Sequence, residues 1–136
     1  MSNRVGHLLL LAILTASLVL MISSSHYIFA THISKPISYL DKNEFFSNET
    51  IALNGWVEYN AKPASDVLVQ VFLEKERNKL TSDNVTSDSN GNFSAILSIP
   101  SEAEPGNYTV SVTSLCQEIH SNVCTYQFEE FPITIR

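Results

Sequence analysis

The stretch Ser87–Thr113 reads SDSNGNFSAILSIPSEAEPGNYTVSVT, and its two alternating runs decide the architecture. Asn90-Gly91 marks a turn whose central residues both tolerate positive φ, and Phe93, Ala95, Leu97 and Ile99 follow at period two. Pro105-Gly106-Asn107 marks a second turn. Tyr108, Val110 and Val112 follow at the same period, with Thr109, Ser111 and Thr113 turned the other way. Each run is a strand with one buried face, and the rest of the chain supplies strands to pack on the pair.

Upstream, Thr50–Tyr59 places Ile51, Leu53, Val57 and Tyr59 on one face, with Gly55 at the intervening position, where a bulge or a close backbone approach is expected. Its other face carries Ala52, Asn54, Trp56 and Glu58. Asn60–Asp66 reads as a loop. Val67–Glu74 is a strand with Val67, Val69, Val71 and Leu73 inward, leaving Leu68, Gln70 and Phe72 outward. The charged run EKERNK, Glu74–Lys79, reads as a solvated hairpin, and Leu80–Asp88 as a short edge strand. Ile37–Leu40 is a weak first strand, and Phe45 and Phe46 are expected to cap the core. Downstream, the last strand runs from Cys124 through Tyr126, Phe128, Phe131, Ile133 and Ile135. Its parity breaks at Glu129-Glu130, which predicts a bulge, and Pro132 predicts an edge position. About seven short strands at turn spacings of roughly 8–12 residues, without an amphipathic helix, predict an all-β fold, an antiparallel β-sandwich over residues 37–136.

Ahead of the domain, Arg4 precedes the uncharged run Leu8–Ile22, followed by Ser23, Ser24 and Ser25 and by a return of apolar character at Tyr27–Ala30. Residues 1–30 fit a signal peptide with small residues near its end. They equally fit a signal-anchor transmembrane helix, because the 23 residues Leu8–Ala30 are long enough to span a bilayer. Both readings export the domain and leave residues 31–36 as a linker. The net charge is −6, and the chain has 8 Lys and Arg against 14 Asp and Glu, which offers no basic stripe to a phosphate backbone and excludes nucleic acid as the expected partner. Four glycosylation sequons begin at Asn48, Asn84, Asn92 and Asn107 and are read as surface-loop positions of an exported chain.

One segment has the residue types for chemistry. Cys116 and Cys124 are an even pair in a short exported domain, and a disulfide across a hairpin between the last two strands is the first reading. The spacing Cys116, His120, Cys124 also admits a copper or zinc site of thiolate and imidazole ligands. It is similar to the ligand loop of cupredoxins, although Cys124 stands where that loop has Met and no upstream His is available in the domain. Asp88, Asn90 and Asn92 have the opening of a calcium loop but lack the acidic residue that closes one, and the turn accounts for them. No hydrolase, zincin or phosphate-loop motif is present, and Glu129 and Glu130 are adjacent on a strand and so face opposite ways. Catalysis and a cofactor are not expected. Trp56, Leu68 and Phe72 are outward apolar residues and form the candidate binding surface.

The order Asp41-Lys42, Phe46, Asn48-Glu49-Thr50-Ile51, Leu53, Gly55, Val57, then Val67, Val69, Val71, then Asp88, Asn90-Gly91, Phe93, and finally Pro105-Gly106-Asn107-Tyr108, Val110, Val112 resembles the immunoglobulin-like modules of prokaryotic cell-surface proteins and the related macroglobulin-type domains. The resemblance covers about residues 37–115. It implies a spacer, binding or adhesion unit without catalytic residues, and a corner role for Tyr108. The functional expectation is an exported, extracytoplasmic module at the cell surface, secreted or held by a single-pass anchor. It would bind a cell-envelope protein or glycan, and touch the membrane through the N-terminal segment where that is uncleaved. An accessory subunit of a membrane complex and a small extracytoplasmic copper or zinc protein are the alternatives.

Overall fold

A computed structural model describes residues 32–117 and 124–136. The N-terminal segment, read above as signal or anchor, lies outside the described residues. Ten strands form two packed sheets: β1 (His32–Leu40), β2 (Glu44–Phe45), β3 (Thr50–Tyr59), β4 (Lys62–Pro63), β5 (Leu68–Lys75), β6 (Asn78–Thr86), β7 (Asn92–Ser98), β8 (Gly106–Ser114), β9 (Cys124–Tyr126) and β10 (Phe128–Ile135). In the first sheet β9, β1 and β3 run side by side, and β7 and β4 share the far edge of β3. The second has the order β2-β10-β8-β5-β6. The seven long strands answer the expected count, and β2, β4 and β9 are short additions. Two pairings are parallel, β1 with β9 and β2 with β10, so the sandwich is mixed where an antiparallel one was expected.

Period-two burial builds the core. Ile51, Leu53 and Val57 from β3 and Phe93, Ala95 and Leu97 from β7 meet Val69, Val71 and Leu73 from β5, Val110 and Val112 from β8, and Ile133 and Ile135 from β10. The two strands of Ser87–Thr113 thus lie in opposite sheets, facing each other across the core instead of pairing. Gly55 is the close approach expected of it: a Cβ there would lie 2.3 Å from the Ile37 carbonyl oxygen and 2.9 Å from Phe93 Cζ. The Phe93 ring, cross-strand from Gly55, fills the space a side chain would take. Tyr108 is buried and its hydroxyl donates to the Glu104 carbonyl at 2.8 Å, the tie that defines a tyrosine corner.

Several local expectations are corrected. β1 begins at His32 and pairs with β3 from Ser34 onward, so residues 32–36 belong to the sheet and not to a linker. The polarity of His32–Lys35 hides the strand, because its inward residues there are Ser34 and Pro36. Phe45 is buried, whereas Phe46 is exposed. The Asn90-Gly91 turn uses positive φ only at Gly91, with the Gly91 N–H donating to the Asp88 carbonyl at 2.9 Å. It carries the chain from one sheet to the other and joins no hairpin partners. The tight two-residue hairpins are Glu76-Arg77 between β5 and β6 and Asn60-Ala61 between β3 and β4, where both central residues have positive φ without help from glycine. No bulge occurs at Glu129-Glu130. β10 pairs with β8 in unbroken register from Phe128 to Ile135, and the parity break falls at Gln127, where the chain leaves β9 in one sheet for β10 in the other. Pro132 lies where β10 has no partner on its outer side, since β2 pairs only with Thr134 and Ile135.

Glu129 accordingly points toward β1, and its Oε2 accepts from the Ser38 N–H at 2.8 Å and the Ser38 hydroxyl at 2.6 Å. Removing that acceptor strands a part-buried donor, so Glu129→Ala should cost about 2 kcal/mol, against about 1 kcal/mol for Tyr108→Phe. Urea denaturation of both variants, compared at unchanged m-value, checks the ranking.

Candidate functional site

The end of the sandwich at which β1 begins holds the chemistry-bearing segment. Cys116 follows β8 and Cys124 opens β9, and their sulfurs are bonded to each other with the Cα atoms 5.9 Å apart. The two strands are not hairpin partners: β8 lies in one sheet and β9 pairs with β1 in the other. The bond therefore clips the sheets together at this end. The turn that carries it is docked on both sides. Leu115 N–H donates to the Leu68 carbonyl at 2.8 Å, Gln117 Nε2 donates to the Ser65 carbonyl at 2.7 Å, and Gln117 N–H donates to the Tyr59 hydroxyl. Beneath it, Ser34 Oγ sits 2.9 Å from Ser114 Oγ and donates to the Leu115 carbonyl at 3.0 Å, satisfying hydroxyls that are fully buried.

With the sulfurs joined, Cys116 and Cys124 offer no thiolates, and the C-x3-H-x3-C reading loses two of its three ligands in this form. His120 lies outside the described residues. Among the described residues no group of three or more His, Cys, Asp or Glu is arranged to hold a metal ion. The calcium alternative also resolves into a turn, because Asp88 Oδ1 accepts the backbone N–H groups of Asn90 and Asn92, each at 2.8 Å. Those bonds, the one from Asn92 first, hold the Asp88 carboxyl below its ordinary range. Glu49 is lowered by the same logic, first by the Phe46 N–H and then by Lys42.

Trp56, Leu68 and Phe72 do not form one surface. Trp56 is on β3 and faces outward from the first sheet, its Nε1 donating to Glu58 Oε1 at 3.0 Å. Leu68 and Phe72 are on β5 and face outward from the second sheet, where Lys79 Nζ lies 3.4 Å from the Phe72 ring centroid. Alternation separates inside from outside but says nothing about which of two sheets a strand joins. The four sequon asparagines, Asn48, Asn84, Asn92 and Asn107, are all exposed. Only Asn48 sits in a turn; the other three are in β6, β7 and β8, with their hydroxyl residues two positions on and so on the same outward faces.

The sequence matches no protein family and no curated protein. Solved structures are similar to this chain at low identity. The D00-D0 domain of Intimin superposes with a TM-score of 0.55 at 12% identity over 82% of this chain, which spans 51% of that structure. The D0-D1 domain of Intimin gives 0.42 at 23% identity over 74% of this chain and 45% of its own. A β-glucosidase from Listeria innocua gives 0.48 at 13% identity over 77% of this chain and 16% of its own. The first of these likenesses establishes a shared β-sandwich fold.

Two measurements follow from this geometry. Reducing the disulfide should lower stability by roughly 2–3 kcal/mol, the loop-closure contribution of so short a ring; denaturant midpoints with and without reductant give the difference. Asp88 binds its proton less readily folded than unfolded, so its contribution is present above the ordinary carboxylate range, about pH 4, and is lost as pH falls through the lowered value. Asp88→Asn should flatten the acid limb of the stability profile below about pH 4, read from thermal melts across pH.

Proposed function

We propose that the chain is an exported, membrane-tethered immunoglobulin-like module, a non-catalytic binding or structural unit at the cell envelope. The observation that carries the reading is the Cys116–Cys124 disulfide, a bond of oxidising compartments, in a sandwich whose first strand starts two residues after an apolar segment. His32, the first residue of β1, is paired with Cys124 itself, so the disulfide and the start of β1 occupy one end of the domain. Seven long strands and the Tyr108 corner support the immunoglobulin-like assignment. The four exposed sequons are compatible with passage through a glycosylating export route.

The full chain, expressed with its natural start, should sediment with membranes, resist alkaline carbonate extraction and be cut by protease added outside spheroplasts. Its mass should rise by two hydrogen atoms on reduction with a thiol or phosphine reductant. A carbonate-soluble chain with two freely alkylated cysteines inside the cell would overturn the reading. Loss of an N-terminal peptide with export retained would replace the tether by secretion.

A further inference from the structure

We propose that the end of the sandwich bearing His32 and the disulfide rests on a lipid surface, with Ile33, Leu68, Tyr126 and Phe128 as its interfacial contacts. The inference rests on the tethered reading above and adds an orientation and a second point of attachment.

β1 begins close behind the apolar run of the sequence. The apolar segment ends at Ala30 and β1 begins at His32, so one residue separates them. A chain advances at most about 3.5 Å per residue, which keeps Ile33 within roughly 10 Å of the end of the span, a distance comparable to the headgroup layer. A rigid strand with so short a lead cannot hold the domain clear of the bilayer. What it brings down is the end where β1, β5 and β10 begin and β3 and β8 finish.

That end is built for an interface. Ile33, Leu68, Tyr126 and Phe128 are exposed there, Phe128 and Tyr126 by 64% and 56%. They are spread around its circumference: Ile33 faces outward from the first sheet, Leu68 and Phe128 outward from the second, and Tyr126 lies just before the crossing at Gln127. Such a collar of aromatic and aliphatic side chains is the composition of a membrane–water boundary, where a ring sits at headgroup level with its polar tip wet.

Charge is distributed to match. The three ion pairs, Lys42–Glu49, Lys75–Glu104 and Arg136–Glu44, all lie at the opposite end. The described ionisable carboxylates and amines near the His32 end are Lys35, Glu58, Lys62, Asp66 and Asp88, with Glu129 and Glu130 directly after Phe128. Asp88 there is occupied by backbone N–H groups of its own turn. The described ionisable groups here are two amines against five carboxylates, so anionic lipid is not what would draw this end to a membrane. Its attachment is apolar contact added to the tether, so its strength should vary little with salt.

The test uses the full chain in phosphatidylcholine vesicles carrying lipids brominated near the headgroup. In a Trp56→Phe background, Phe128→Trp or Tyr126→Trp places a single reporter at this end and Leu80→Trp places one at the other. Two reporters at the near end guard against one failing to fold, and thermal melts identify any that does. The Phe128→Trp and Tyr126→Trp chains should lose at least about twofold more emission to the bromines than the Leu80→Trp chain, with the difference kept at high salt. Equal quenching at both ends in a chain that floats with the vesicles overturns the lipid contact and leaves the tether standing. A chain that does not float overturns the contact and the tethered reading together. In native membranes, crosslinking from position 128 to a protein in place of lipid overturns the proposal in favour of a protein partner.

Discussion

A sandwich of two sheets leaves strand edges whose N–H and C=O groups have no neighbour, and two carboxylates close the first sheet's edges in this chain. At one edge Asp83, from β6 of the second sheet, accepts the Ile96 N–H of β7 at 3.0 Å. At the other, where β9 stops after Tyr126, Glu129 from β10 takes the Ser38 N–H of β1. Between Ser34, the last residue paired with β9, and Ser38, β1 has Pro36, which has no N–H to leave open. Each edge of the first sheet thus has an N–H accepted by an acidic side chain from the second. The caps do two things at once: they satisfy donors that would template pairing with another chain, and they tie the sheets together across their margins. The disulfide adds a third cross-sheet tie at the end, where neither carboxylate reaches.

Much of this was legible in the residues, and for a clear reason. Alternation at Phe93–Ile99, Tyr108–Val112 and Val67–Leu73 is a direct record of one buried face, and these inward side chains are buried as read. Gly55 announced a close approach because a strand interior has few other uses for glycine. The partner across each strand left no such record. Nothing in β7 and β8 says which sheet each joins, and they are opposed; Trp56 and Phe72 read as one face and lie on two, and the last strand read as one piece with a bulge while it changes sheets at Gln127. β1 was half hidden because its first inward side chains are Ser34 and Pro36, and the hydroxyl of Ser34 finds its partners eighty residues away. Glu129 and Asp83 gave no local signal of their role, since an acidic residue near an edge reads as solvated until the facing sheet is in place.

The candidate site shows the same division. The cysteine pair could be recognised from count and compartment, and it is bonded. That the bond bridges sheets, and that its turn is held by Tyr59, Ser65 and Leu68, depends on three separate elements folding to one end. The sequons were read as loop positions because Asn, Ser and Thr favour turns. In three of the four the same residues serve as the polar half of a strand's alternation.

The two parallel pairings give the fold a mechanical character. The described strands run from His32 at one end of the sandwich to Ile135 at the other, and β2 runs alongside β10 in the same direction. Thr134 N–H donates to the Asn43 carbonyl and Arg136 N–H to the Phe45 carbonyl, each at 2.9 Å. A pull between the two ends loads these bonds along the strand axis, so they bear the force together and do not open one after another like a zip. Along that axis β2 and β10 can part only by sliding, which breaks both bonds at once.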